Sequence, residues 1–341
     1  MKFNEIRRQQ FLAEDLAKER EEDLTERIAD FKQEIGNMTL REGARVSYAW
    51  KVASESLQLL ILRYTAGLPI VDLSQEISSV IAAFDVFVPL ENPRPNEAHS
   101  LTITQLEAYV YVMWLLALCR LLGHAELVSA VMRWLDKNAE FNRGRDGLFE
   151  AVVEKLTGRK EPVERVLLHP AAYRPLAKAT APDAQDRPTL VKEFLDGWYK
   201  NMKDCYWHNT HTDKEGSSYF GYWAFEAALV TVLWDIDDTS YRDHLVYPKD
   251  LADWAREHRA RSSPNDPSNT PAGAASSERQ SYVPGGDPCP QAGWWFTVAQ
   301  SDSRRYFEKG EIMPIIKGSR FGDTYWQRAN EQDAPKHPGG Q

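Results

Sequence analysis

Apolar residues recur at intervals of three and four along most of this chain. Leu24, Ile28, Phe31 and Ile35 form one such stripe, and residues 50–64 carry a second. This spacing places the apolar side chains on one face of a helix. No stretch shows the sustained alternation with a period of two that is typical of a half-buried strand. The sequence therefore predicts an all-α fold, a multi-helix bundle with orthogonal and antiparallel helix pairs.

Particular residues mark the expected ends of these helices. Gly67 follows the second stripe, and glycine often ends a helix. Asp72 is predicted to be the N-cap of the next helix, because its side chain can accept a hydrogen bond from a free backbone N–H. Thr104 is predicted to cap a strongly apolar helix that runs to Leu122. The unbroken apolar run of that helix, residues 108–119, falls short of the ~18 residues that a membrane span needs, so we expect a core helix.

The composition changes sharply near residue 260. Residues 1–260 are predicted to form a helical domain, with an N-terminal part over residues 1–190 and a C-terminal part over residues 191–260. Residues 261–288 are rich in Pro, Ser and Gly and are predicted to be a linker or long loop. Residues 289–341 form an aromatic tail with an irregular structure and a disordered end. We expect this tail to pack on the helical body, because it is too small to hold a core alone.

The charge balance limits the functions that the chain can have. It carries 50 acidic and 41 basic residues, a net charge of −9. Proteins that bind nucleic acid or anionic membranes need a basic surface, so this balance argues against both functions and permits a basic partner. The three cysteines, Cys119, Cys205 and Cys289, form no C-x-x-C pair, and the N-terminus lacks the apolar segment of a signal peptide. We therefore expect a cytoplasmic protein.

The chain offers few candidates for catalysis. It contains none of the common phosphate-binding, dinucleotide-binding, serine-hydrolase or zinc-protease motifs. The best candidate for a metal site is His208 and His211 with Asp213, although a polar loop explains the same residues. The enzymatic alternative is an all-α metal-dependent phosphohydrolase that uses His208, His211 and the acidic cluster that begins at Asp235. Glu226 lies within the apolar stretch 222–234. We expect it to have a structural hydrogen bond or ion pair, with a catalytic acid as the alternative.

Acidic residues are concentrated in the C-terminal part of the predicted helical domain. Residues 204–257 contain 11 acidic and 4 basic residues, a net charge of −7. Such a region can attract a basic partner, bind Mg²⁺ or Ca²⁺, cap local turns or form a solvated face. We predict that five of its carboxylates contact a partner: Asp235, Asp237, Asp238, Asp243 and Glu215.

Three motifs in the same region resemble a known family. They are residues 218–228 (SYFGYWAFEAA), 236–238 (IDD) and 247–251 (YPKDL), preceded by the tryptophans Trp198 and Trp207. Together they closely resemble the C-terminal signature of the PoNi-like, or polymorphic nuclease immunity, family. Residues 62–67 (LRYTAG), followed by Pro69, resemble the N-terminal helical part of the same family. The resemblance extends over most of residues 20–258.

The resemblance implies an all-helical immunity protein of a type VI secretion system. Such a protein binds a cognate secreted toxin, here expected to be a nuclease, and neutralises it by covering its active or substrate-binding site. It catalyses no reaction and needs no cofactor. An effector-loading chaperone or adaptor is the second alternative, and a homodimer is a further option because the chain is rich in aromatic residues.

The aromatic tail has a resemblance of its own. Its motifs are residues 289–290 (CP), 293–295 (GWW), 303–307 (SRRYF), 313–314 (MP) and 324–327 (TYWQ). They resemble a tail module of several secretion-system immunity proteins.

Overall fold

The computed structural model describes residues 2–37, 39–91, 99–163, 167–212, 218–261, 282–297, 303–316 and 324–328. By its internal contacts the chain divides into two compact units, residues 1–266 and 267–341. The first unit contains every helix of the described residues, and the second contains the strands.

The described part of the first unit contains twelve α-helices and two short 3-10 helices. The α-helices are α1 Phe3–Ile6, α2 Glu14–Ile35, α3 Glu42–Ala66, α4 Ile70–Glu91, α5 Leu106–Leu121, α6 Val128–Asp136, α7 Ala139–Asn142, α8 Gly147–Thr157, α9 Pro170–Thr180, α10 Arg187–Asn201, α11 Phe225–Leu233 and α12 Lys249–Arg261. The 3-10 helices are Ala125–Leu127 and Thr210–Thr212. The predicted all-α fold class is confirmed.

Helix α5 lies at the centre of this unit. All of its side chains from Ala108 to Cys119 are buried, so it has no polar face. Helix α11 packs against it, and α3 packs between α2 and α4. The apolar stripes read from the sequence face the core as predicted, with Leu24 and Ile28 of α2 both buried. A helix that is apolar on all sides belongs in the middle of a bundle.

Helix α4 is long and apolar enough to cross a membrane by length and composition alone. Eight of its side chains, from Leu73 to Val88, are buried in the structure. Those side chains belong to the core cluster that the other helices of the unit share. A buried core helix passes the same test as a membrane span, so we read α4 as part of the bundle.

Two of the predicted helix caps are wrong. Helix α4 begins at Ile70, directly after Pro69, which places Asp72 inside the first turn. A proline at this point suits a helix start, because its fixed φ is already helical and it has no N–H to satisfy. Helix α5 begins at Leu106, and its N-cap Gln105 forms no capping hydrogen bond. Thr104 therefore lies outside the helix.

The end of α3 is as predicted and is tightly constrained. Gly67 is its C-cap, with a left-handed φ of 103°. A Cβ atom at this position would lie 2.3 Å from the backbone oxygen of Ile6. Both the backbone conformation and the close approach of the N-terminal segment thus require glycine here.

The second unit contains a small antiparallel sheet that the sequence reading missed. Its strands are β1 Tyr282–Pro284, β2 Gly293–Phe296, β3 Arg305–Phe307 and β4 Tyr325–Arg328, in the order β1-β4-β2-β3. Strands of three or four residues are too short to show alternation in a sequence, which explains the error. The sheet has an apolar cluster of its own, formed by Val283, Cys289, Trp295, Phe307, Met313 and Trp326. The tail therefore has an apolar cluster of its own, and its packing on the helical unit stays a prediction.

Candidate functional site

Three of the predicted partner-binding carboxylates lie exposed on the segment between α11 and α12. Asp235 follows the end of α11 with a left-handed φ of 52°, a conformation that aspartate tolerates better than most residues. The carboxylate of Asp237 accepts hydrogen bonds from the backbone N–H of Thr239 at 3.0 Å and from its hydroxyl. Asp243 forms an ion pair with Lys249 at 2.7 Å. These hydrogen bonds hold the pKa values of Asp237 and Asp243 below their usual range, so both are ionised at neutral pH.

Asp238 has a different environment from its neighbours. It is only 6% exposed. Its carboxylate accepts hydrogen bonds from the hydroxyl of Tyr247 at 2.9 Å and from Arg256 at 2.8 Å. Arg242 lies 3.4 Å away and also pairs with Asp253. Asp238 therefore connects the segment between α11 and α12 to α12 itself. The candidate binding surface consists of the three exposed carboxylates. Glu215 lies outside the described residues.

Glu226 is a completely buried carboxylate on α11. It accepts hydrogen bonds from the indole N–H groups of Trp198 at 2.7 Å and Trp114 at 3.1 Å, and from the hydroxyl of Tyr173 at 3.2 Å. The three donors come from α5, α9 and α10, so one carboxylate joins four helices. Burial raises the pKa of Glu226 to about 7, although the three donors act in the opposite direction. This geometry favours the structural hydrogen-bond alternative over a catalytic acid.

The two histidines of the candidate metal site do not lie on one α-helix. The ring of His208 stacks on Tyr199, with 4.2 Å between the centroids. Nδ1 of His211 lies 2.9 Å from the hydroxyl of Tyr222, and burial lowers the pKa of this histidine. Within the described ranges, no three His, Cys, Asp or Glu side chains come together as a metal site would require. Asp213, the third member of the candidate, lies outside those ranges.

The sequence reading did not single out the N-terminal segment that holds the C-terminal motifs in place. Gln9 is buried, and its side chain makes four hydrogen bonds. Its Oε1 accepts from the hydroxyl of Tyr219 at 2.6 Å and from the backbone N–H of Tyr222 at 2.8 Å. Its Nε2 donates to the backbone oxygens of Tyr222 and Leu245. A glutamine among other polar and charged residues gives no sign of burial, so no pattern could have found it.

Arg8 makes a second connection next to Gln9. Its Nε forms an ion pair with Asp250, the second residue of α12. Its Nη1 donates to the backbone oxygens of Tyr64 at 2.6 Å and Leu68 at 3.0 Å, which lie at the end of α3. The N-terminal segment therefore joins the end of α3 to the start of α12.

Comparison with known protein families gives two matches, one in each half of the helical unit. A family sequence model described as the N-terminal region of PoNe immunity protein (PoNi) matches residues 8–132. A second, described as the C-terminal region of PoNe immunity proteins, matches residues 144–251. The chain belongs to the PoNe immunity protein family. It is thus an immunity protein against a polymorphic nuclease toxin, and PoNi proteins are non-enzymatic inhibitors as a family.

The two PoNi regions contain the features described above. The N-terminal region begins at Arg8 and Gln9, the two residues that bond to the C-terminal motifs. The C-terminal region includes Glu226 and the three exposed carboxylates. A comparison with curated proteins gives no match. Among solved structures, Protein PA2201 from Pseudomonas aeruginosa is similar, with a TM-score of 0.58 and 20% identity over 74% of this chain and 92% of that one. At this identity the likeness shows the fold alone.

Proposed function

We propose that this PoNi protein binds its cognate nuclease toxin directly, in the cytoplasm of the cell that makes it. We further propose that a type VI secretion system delivers the toxin and that the bound immunity protein covers its active or substrate-binding site. The observation that carries the proposal is the exposure of three carboxylates, Asp235, Asp237 and Asp243, within the matched C-terminal PoNi region.

The proposed mechanism is electrostatic imitation of the substrate backbone. A nuclease must present a basic surface to bind phosphates. Carboxylates on an inhibitor can pair with the same basic groups. Asp237 is already fixed by Thr239, so little side-chain entropy is lost when it pairs with a partner. Complementary charge of this kind speeds association and falls in effect as salt is added.

The expected size of the effect follows from simple electrostatics. A carboxylate at ~8 Å from a partner cation contributes about 0.5 kcal/mol in water. Three such carboxylates contribute about 1.5 kcal/mol at low ionic strength, which is about a tenfold change in the association rate. The direct contacts formed after docking add to this.

The test removes the three charges without changing shape. The triple variant Asp235→Asn, Asp237→Asn, Asp243→Asn keeps the side-chain size, and asparagine tolerates the left-handed backbone of residue 235. We expect the wild-type protein to restore growth to cells that express the toxin. The variant should associate with the purified toxin about tenfold more slowly at low salt, and the difference should shrink at high salt.

A matched control removes three exposed carboxylates elsewhere on the helical unit. Asp30→Asn, Asp183→Asn and Glu193→Gln remove the same number of negative charges, on α2, before α10 and on α10. This control should associate at nearly the wild-type rate. Equal rates for wild type, control and variant at low salt would remove the acidic surface from the proposal. Absence of any complex between the wild-type protein and its toxin would refute direct binding itself.

A further inference from the structure

A charged cleft lies where the two PoNi regions meet. Its volume is about 530 Å³, and its walls come from α2, α3 and the segment after α10. We call it the Tyr206 cleft and define it by Arg20, Asp23, Arg27, Glu55, Gln58 and Tyr206. The first five residues belong to the N-terminal PoNi region and Tyr206 belongs to the C-terminal one. Junctions between regions of a fold are common places for binding sites.

Tyr206 is exposed and yet held rigidly. It keeps 54% of its surface exposed. Its hydroxyl accepts a hydrogen bond from Nε2 of Gln58 and lies 2.8 Å from the hydroxyl of Tyr111. Its backbone N–H donates to Glu107 at 3.1 Å. With the hydroxyl held inside, burial raises its pKa to about 12. An exposed aromatic ring that is already fixed loses little entropy on binding and is typical of interface hot spots.

Two buried polar atoms beside Tyr206 lack hydrogen-bond partners within the described part of the chain. They are Nε of Arg20 and Oε2 of Glu55. The other atoms of these groups are engaged: Arg20 reaches Asp23 at 2.8 Å and Gln58 at 3.2 Å, and Oε1 of Glu55 pairs with Arg27. A buried polar atom without a partner is costly, and a donor that reached Oε2 would remove that cost.

The lining selects the class of ligand. Pockets for small molecules are mostly apolar with a few polar groups. Here half of the ten lining residues are charged: three are acidic, counting Glu19, and two are arginines. Such a cleft favours a cationic side chain that can lie over the Tyr206 ring and donate to Glu55.

We propose that the Tyr206 cleft receives an arginine or lysine side chain of the cognate toxin. This inference rests on the proposed function and adds a second contact region to it. The toxin is preferred over a second copy of this chain because a nuclease surface is basic, whereas this chain carries a net charge of −9. The cation stacks on the ring of Tyr206, and its N–H groups satisfy Oε2 of Glu55.

The test combines two substitutions with a control. Tyr206→Ala removes the ring and Glu55→Gln removes the acceptor charge; each should raise the Kd for the toxin about tenfold or more. Tyr206→Phe keeps the ring and should stay within about threefold of wild type. Tyr48→Ala is the control, because Tyr48 lies on α3, stacks on Phe31 and is not among the residues that line the cleft. It should leave the Kd unchanged, and thermal unfolding confirms that each variant is folded.

A photo-crosslinking probe gives an answer even if Tyr206→Ala does not fold. Benzoylphenylalanine placed at position 206 should crosslink to the toxin, in a peptide that contains arginine or lysine, whereas the same probe at position 48 should not.

The outcomes separate this inference from the proposed function. If the toxin binds wild type tightly but Glu55→Gln binds equally well and no crosslink forms at position 206, the cleft proposal is overturned. A crosslink between two copies of this chain would also overturn it and would assign the cleft to a homodimer. If the wild-type protein forms no complex with the toxin, the proposed function fails.

Discussion

The buried carboxyl group of Glu226 should make the stability of this PoNi protein depend on pH. Its pKa is raised to about 7 from the usual value of 4.5, because burial disfavours the charged form. Between these two pH values the folded protein keeps a proton that the unfolded chain has lost. The stability from this group is therefore complete below about pH 4.5 and is lost as the pH rises through about 7. Each pH unit in this window costs about 1.4 kcal/mol, so the loss between pH 5 and pH 8 amounts to about 2.5 kcal/mol.

Glu226→Gln removes the titration while keeping the size of the side chain. Indole N–H groups can only donate, so Trp114 and Trp198 both need an acceptor. Protonated Glu226 satisfies both, because the hydroxyl of Tyr173 can turn from donor to acceptor. The amide of glutamine instead places its own N–H₂ group against one of the two indoles. We therefore expect the variant to be less stable than wild type at low pH by about 1–3 kcal/mol.

The decisive quantity is how the stability difference between wild type and Glu226→Gln changes with pH. Urea unfolding followed by far-ultraviolet circular dichroism, which reports the helices, should be measured from about pH 5 to about pH 8. The advantage of wild type should fall by about 2.5 kcal/mol over this range. All other titrating groups are shared by the two proteins, so their contributions cancel in the difference. A difference that stays constant within about 0.5 kcal/mol would refute the reasoning.

Three further predictions concern residues that hold the helical unit together. Gln9→Ala should destabilise the protein by about 3 kcal/mol, because buried partners lose four hydrogen bonds; a shift of thermal unfolding below ~1 kcal/mol would contradict this. Gly67→Ala should lower the free energy of unfolding by more than ~2 kcal/mol, because the added Cβ atom meets the backbone of Ile6. Gly158 also has a left-handed φ but has open space around it, so Gly158→Ala should lower the free energy of unfolding by only about 1 kcal/mol in the same urea assay. Asp238→Asn should lower stability by about 2 kcal/mol yet leave toxin affinity unchanged by titration calorimetry, and a large loss of affinity would make Asp238 a contact instead.

The sequence predicted the helices better than their ends. The stripe containing Leu24 and Ile28 identified α2 and its buried face, because burial imposes the helical period directly on the sequence. Asp72 and Thr104 were misplaced because a capping residue near a helix start is chosen by local geometry. Pro69 precedes α4 and has no backbone N–H of its own to satisfy. The strands of the second unit are too short to produce a recognisable alternation of apolar and polar residues in the sequence.

The candidate site was only partly visible in the sequence. The apolar surroundings of Glu226 indicated a buried carboxylate, but its donors Trp114, Tyr173 and Trp198 come from helices far along the chain. Adjacent aspartates gave no hint that Asp238 turns inward while its neighbour Asp237 stays exposed. That distinction depends on where the fold places Arg242, Tyr247 and Arg256 around Asp238, which is a tertiary property.

The attachment of the N-terminal segment has a consequence for the timing of folding during synthesis. Arg8 and Gln9 are synthesised well before their partners Tyr222, Leu245 and Asp250, which follow them by more than 200 residues. Contacts this distant in sequence cannot form until the ribosome has released nearly the whole helical unit. In a nascent chain, Arg8 and Gln9 would therefore lack these partners while most of the helical unit is being synthesised. Protection against the toxin would begin only when translation of this unit is nearly complete.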